Sequence, residues 1–231
     1  MSLFRKIYTP VLLHSNNRCR ENLGAWIDAE IVKLQNGQSE EEPLKIVNIG
    51  AGGWAYDQIS KLENAEIVQV DIDEDRNPDV VADVCDMKMF EDNSVDAIFM
   101  IEVLEHVAEP WNAIPEIHRI LKPSGKLILS TPLMFPLHDE PYDYYRYTKH
   151  GLEYLLKPFG QVSIRERNSY INSIYVLFGR MIYTTNKKMK PLGLITFLLM
   201  LLLLPIFFVI SKLYKNHQST TGYFTVAEKA N

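Results

Sequence analysis

The chain has 231 residues, 47% apolar and 11% aromatic, with 24 basic against 29 acidic side chains and a formal net charge of −5. Such totals exclude a disordered chain, weigh against a generic nucleic-acid binder, and suit one folded domain or at most two. The charge is unevenly spread: from Arg167 to Ala227 there are seven basic residues and no acidic one, which leaves 17 basic against 29 acidic elsewhere, or −12.

At the N-terminus, Met1 to Pro10 places charge and a proline ahead of the short apolar run Val11 to Leu13. That run is too short for the ~7–15-residue core of a secretory signal, so an uncleaved, cytoplasmic N-terminus is expected. Residues 16 to 36 read as a helix with Leu23, Trp26, Ile27, Ile31 and Leu34 on one stripe, stopped by Asn36-Gly37 and followed by a polar linker to Pro43. Short β-rich runs then alternate with helical segments. The expected strands are 45–49, 66–71, 79–82, 95–101, 126–130, 161–165 and 223–228, and the clearest helix is Pro110 to Leu121. This rhythm predicts an α/β fold with a mostly parallel sheet covered on both faces. Cys19 and Cys85 have no partner at ligand spacing, so neither a disulfide framework nor a metal site is predicted, and a reducing compartment fits.

Leu192 to Ile210 breaks the pattern with an almost wholly apolar run, flanked by Lys187, Lys188 and Lys190 on one side and Lys212 and Lys215 on the other. As a helix it would span ~28 Å, close to the ~30 Å hydrocarbon core of a bilayer. The alternative is a buried core helix, for which a domain of this size has little room.

The strand at Lys45 runs into Gly50-Ala-Gly52-Gly-Trp54, a turn in which glycines let the backbone approach a ligand. Asp71 closes the next strand, where a carboxylate can accept both hydroxyls of a ribose. The pair signals an adenosine-containing cofactor.

The ordered series that follows, Val81-Ala-Asp83-Val84-Cys-Asp86, Asp96 to Val107 with Glu102-Val-Leu-Glu105-His106, and Glu116 to Leu129, resembles the class I S-adenosylmethionine-dependent methyltransferases of the type 11 group over about residues 44 to 168. The resemblance implies a Rossmann-like sheet with an antiparallel last strand and S-adenosyl-L-methionine as cofactor. It assigns Gly50, Gly52 and position 48 to the methionine part, Asp71 to the ribose, Asp83 with the Val84 amide to the adenine, and Ile101-Glu102 to the methionine and acceptor side. Three positions depart from the pattern. Asn48 replaces the usual acid, Trp54 stands where a third glycine is usual and either meets the cofactor or fills the core, and the stretch from Asp71 to Asp83 has no room for the usual intervening helix.

A second segment, Ser130 to Thr148 with His138, Tyr142, Asp143 and Arg146, is similar to a stretch of bacterial methyltransferases of cell-envelope and surface-polysaccharide biosynthesis. It implies a substrate loop in which aromatics such as Tyr142 stack on a sugar or lipid head group and Arg146 pairs with a phosphate. Asp143 and Arg146 are otherwise a structural ion pair, and Tyr144, Tyr145 and Tyr147 otherwise pack the loop down. His138 is the first candidate for a general base, and His106 the second or else a loop-orienting residue.

Four segments are therefore expected: a helical segment and linker at 1–43, the cofactor-binding core at 44–168, a basic, apolar, membrane-associating insertion at 169–221, and the last strand at 222–231. Because that strand must return to its sheet, 192–210 is not expected to cross a membrane alone. Either Pro205 breaks it into a re-entrant segment, or it pairs with 171–183 as a hairpin. The expected enzyme works at the cytoplasmic membrane surface on a lipid-linked saccharide or envelope precursor. A lipophilic small-molecule acceptor such as a quinone precursor, and a non-catalytic cofactor-binding scaffold, are the alternatives.

Overall fold

A computed structural model describes residues 19–37, 42–184, 190–214 and 218–231. The expected N-terminal segment before Cys19 and the lysines at 187, 188 and 215 lie outside the described residues. Seven strands form one sheet: β1 (Leu44–Ile49), β2 (Ala65–Asp71), β3 (Val80–Val81), β4 (Val95–Ile101), β5 (Leu121–Pro132), β6 (Gln161–Glu166) and β7 (Gly222–Glu228), in the order β3-β2-β1-β4-β5-β7-β6. The first five are parallel neighbours, with Asn48 opposite Gln69 on β2 and Phe99 on β4. β7 runs antiparallel: Lys229 N donates to Gly125 O and Leu133 N to Thr221 O, while Gly160 N donates to Glu228 O and Arg167 N to Gly222 O. The α/β class and antiparallel last strand are as expected, with β7 lying between β5 and β6.

The continuous apolar run of β4 is explained by burial on both faces, for Ala97, Ile98, Phe99 and Met100 are all inaccessible. β6 at the edge alternates exposed and half-buried residues, as a strand covered on one face must. Helix α1 (Leu23–Asn36) places Leu23, Ile27 and Ile31 against Ile46, Ile59, Phe99 and Phe224. Each fully buried aliphatic side chain of this kind contributes about 1.5–3 kcal/mol from removal of apolar surface from water. Among the described residues the expected helix is interrupted between Cys19 and Leu23, where Asn22 adopts a left-handed backbone with φ 66°.

Helix α2 (Gly53–Ile59) follows the glycine turn, and α3 (Pro110–Ile120) carries proline in its first turn and buries Ala113, Ile114, Ile117 and Ile120 on one face. The Lys122-Pro-Ser-Gly125 stop is absorbed into β5, where the register jumps from Leu121 opposite Val95 to Lys126 opposite Ala97. Between β2 and β3 there is one short 3-10 turn, Glu74–Arg76, in keeping with the compressed spacing. α4 (Lys149–Leu155) is capped by the Thr148 hydroxyl, which accepts from Gly151 N.

The chain divides into two compact units whose boundaries differ from the expected segments. The first takes residues 23–132, 138–165 and 223–231, so α1 is part of the sheet's core rather than a separate N-terminal piece. The second takes 133–137 and 166–222 together with the chain up to Asn22. It holds α5 (Tyr170–Thr184) and α6 (Lys190–Leu213), with Tyr175 and Phe178 both facing Phe207 and Met200 buried beside Tyr175. Pro205 does not break α6, which runs on for 24 residues, so the re-entrant option gives way to a helical hairpin. Nor is α6 a buried core helix, since Leu202 is 72% and Leu198 55% exposed. At the base of this unit Asn168 Nδ2 donates to the Thr221 hydroxyl, which donates to Cys19 O, and Asn22 Nδ2 donates to Arg167 O. Arg180 stacks over Phe135 at 4.4 Å.

Candidate active site

The turn after β1 is held from below by three side chains. Asp71 Oδ2 accepts from Ala51 N at 2.8 Å, Gln69 Oε1 accepts from Gly52 N at 2.9 Å, and Asn48 Nδ2 donates to Gly50 O at 3.0 Å. The second Asp71 oxygen accepts from Asp73 N at 3.0 Å. Each carboxylate oxygen can accept more than one hydrogen bond, so acceptor capacity remains on Asp71 beyond these two amides. Asn48 is buried at 1% exposure and braces the turn itself. Gln69 was not singled out from sequence, because nothing in a strand residue's identity says which loop its amide will meet.

Gly50 and Gly52 are glycines for different reasons. Gly50 has φ 91° and a Cβ there would stand 2.5 Å from Val103 Cγ2, so this position is closed by the β4 loop and not by a ligand. Gly52 has φ 70° with open space where its Cβ would be, the room a ligand's approach needs. Trp54 is partly buried and packs against the core cluster.

Asp83 is exposed and accepts from Cys85 N at 2.9 Å, while Val84 is buried beside it. At the end of β4, Ile101 is buried and Glu102 takes a left-handed backbone with φ 57°, its carboxylate accepting from the Ser130 hydroxyl at 2.9 Å. A side chain other than glycine in that region costs about 1–3 kcal/mol, and such residues cluster at functional sites.

Beyond Glu102 the chain makes a 3-10 turn, Leu104–His106, and the loop after β5 comes back to it. His106 and His138 meet edge to face with ring centroids 4.8 Å apart, although they are distant in sequence. Glu105 lies fully buried beneath them, its Oε1 3.7 Å from His106 Nε2 and 3.9 Å from His138 Nε2. Tyr142 O accepts from His106 Nδ1 at 2.8 Å. Asp143 Oδ2 stands 3.2 Å from His138 Nδ1 and also accepts from the His138 backbone amide at 2.9 Å.

Asp143 and Arg146 form the structural ion pair that was one of two options. The Arg146 guanidinium donates to both carboxylate oxygens, at 2.6 and 2.7 Å, and holds the Asp143 carboxyl down at about 2. The Asp143 side chain is 1% exposed and that of Arg146 21%. The pair braces His138 and the loop. Tyr145 and Tyr147 also pack the loop, donating to Ala108 O and Leu104 O. Tyr142 and Tyr144 remain exposed, at 64% and 46%. Glu105 and Asp139 are the residues that sequence reasoning passed over, since burial of the one and approach of the other exist only once the two loops are folded together.

A glycine turn closed by an acid at the end of the second strand, in a seven-stranded sheet of this order, invites comparison with known proteins. Residues 47–129 match the family model described as Methyltransferase domain. An uncharacterized methyltransferase of Mycolicibacterium vanbaalenii is 30% identical over 94 residues, which are 39% of this chain and 36% of that one. The chain thus spans about a third of the length of the curated relative it matches. Among solved structures, a SAM-dependent methyltransferase from Archaeoglobus fulgidus superposes with a TM-score of 0.57 at 16% identity, covering 91% of this chain and 94% of that one. The phosphoethanolamine N-methyltransferase 2 of Haemonchus contortus, in complex with S-adenosyl-L-methionine, gives 0.54 at 16% identity, over 88% of this chain and 52% of that one. The [4+2]-cyclase SpnF gives 0.56 at 15% identity, over 88% and 81%. The fold is that of the class I methyltransferases, and the presence of a cyclase among its likenesses shows that the fold alone does not name the reaction.

Proposed function

We propose that this protein is an S-adenosylmethionine-dependent methyltransferase acting at the cytoplasmic face of a membrane on a lipid-linked saccharide or envelope precursor. The observation that carries the reading is Asp71 at the end of β2, bonded to the turn of Gly50 to Gly52 within a segment matching the methyltransferase domain. The cofactor supplies an activated sulfonium methyl. Asp71 would accept from the ribose hydroxyls, Asp83 and the Val84 amide would meet the adenine, and the open backbone at Gly52 would lie under the methionine. Glu102, bent out of strand geometry and anchored on Ser130, borders the acceptor side. Alignment of acceptor and methyl accounts for much of the rate in such a transfer, and His138 or His106 would take the proton of a hydroxyl acceptor.

The membrane part of the reading rests on α6, whose segment Pro191–Leu213 is long and apolar enough to cross a bilayer and is mostly exposed. Its exposed leucines and basic flanks suit lipid and anionic head groups, the latter worth ~1 kcal/mol per lysine near the surface. Incubation with radiolabelled S-adenosylmethionine and total membranes tests the proposal. Label is expected in the organic-soluble lipid fraction, and label confined to water-soluble products would refute the lipid-linked acceptor.

A further inference from the structure

The arrangement of Glu105, His106 and His138 carries a consequence beyond acid–base work. Their ligand-type atoms lie within 4.8 Å of one another. The 3.7 and 3.9 Å separations between Glu105 Oε1 and the two Nε2 atoms are too long for hydrogen bonds. They approach the ~3.4 Å between donors that share a tetrahedral ion at ~2.0–2.1 Å per bond.

The far nitrogens decide which way the near ones face. His106 Nδ1 is bonded to the Tyr142 carbonyl, which can only accept, so that nitrogen carries the proton. His138 Nδ1 lies between the Asp143 carboxylate at 3.2 Å and Arg146 Nη2 at 3.5 Å, which together fix the position of the ring. In the neutral imidazole His106 then turns its Nε2 lone pair toward the Glu105 carboxylate, and His138 Nε2 stands beside the same oxygen. A histidine oriented by a carboxylate or carbonyl on its other nitrogen is also the arrangement that surrounds bound metals.

We propose that Glu105, His106 and His138 bind one divalent transition-metal ion. Two imidazoles and a carboxylate suit Zn2+ with a position left for water or an oxygen-bearing acceptor, and Asp139 Oδ2, 4.0 Å from His106 Nε2, stands at the rim. Binding of the ion does not depend on the methyltransferase reading, so the two can fail separately.

The test uses the full-length protein in detergent, stripped with chelator and titrated with Co2+ while its visible absorption is followed. One Co2+ per chain is expected, displaced by Zn2+, and Zn2+ should raise the thermal midpoint. His138→Gln and His106→Gln should each weaken Co2+ binding more than about tenfold, because each removes a ligand, whereas His150→Gln, at a histidine 89% exposed, should not. Absence of stoichiometric Co2+ or Zn2+ binding, or affinity unchanged in both ligand variants that remain folded by circular dichroism, would overturn the proposal and leave an imidazolium–carboxylate contact.

Discussion

Arg167 N donates to Gly222 O at 3.0 Å, so the chain that departs after β6 and the chain that re-enters as β7 are hydrogen-bonded at the point of exit. Everything between, including α5 and α6, is a closed excursion from two adjacent strands of one sheet. A helix crossing a bilayer once would separate those strands by the width of the membrane. A cysteine introduced at His150, on α4, and a tag after Asn231 should therefore be reached from the same side of sealed membrane vesicles. Labelling of the two in vesicles of opposite orientation would contradict the closed excursion.

Asp71 has both a structural and a proposed binding role, and two variants separate them. Asp71→Ala removes the acceptors for Ala51 N and Asp73 N and should abolish S-adenosylmethionine binding in calorimetry. Asp71→Asn retains one acceptor oxygen and should bind weakly, with loss of roughly 1.5–3 kcal/mol, the typical worth of hydrogen bonds to a charged group. Undiminished affinity in Asp71→Ala would remove the carboxylate from the cofactor site.

Gly50→Ala should destabilise the protein by roughly 2 kcal/mol or more, since the new methyl meets Val103 Cγ2 at 2.5 Å and the backbone stays at φ 91°. Adding Val103→Ala relieves the contact and leaves the backbone strain, so the double variant should recover part of the urea midpoint and not all of it. Gly52→Ala, with open space at its Cβ, has no contact to relieve. It should lose stability through φ alone and be insensitive to the residue at 103.

The acid limb of stability should involve Glu116. Arg119 donates to both its oxygens and to Asp92, and Glu116 also accepts from Met87 N, which together hold the Glu116 carboxyl below its ordinary 4.5. A carboxyl lowered by folding adds stability that is complete above its unfolded pKa and is lost as pH falls through the folded one. Thermal midpoints should thus drop below about pH 4.5 in the native protein. Glu116→Gln should be less stable at pH 7 and should show a shallower decline on acidification. A decline of equal slope in both proteins would exclude Glu116 from the transition.

The local patterns were sufficient for most of the architecture. β4 was legible from Val95 to Ile101 because a strand buried on both faces has to be apolar at every position, and α3 from its leading proline and spaced isoleucines. The glycine turn and Asp71 were legible because they are constrained by backbone geometry and by their place at strand ends. Trp54 was ambiguous, for an aromatic beside a turn suits a ligand or a core equally until the core is assembled.

What the sequence by itself determined was the order of elements, the acidic core carrying a basic apolar excursion, and the candidate residues of each loop. Only tertiary structure decided that Asn48 and Gln69 brace the turn, that Arg146 pairs with Asp143, and that His106 and His138 converge on a buried Glu105. The physical reason is the same in each case. Periodicity and turn chemistry act over a few residues, whereas a side chain's partner is set by which distant loop the sheet brings within 3 or 4 Å, a separation that no local pattern encodes.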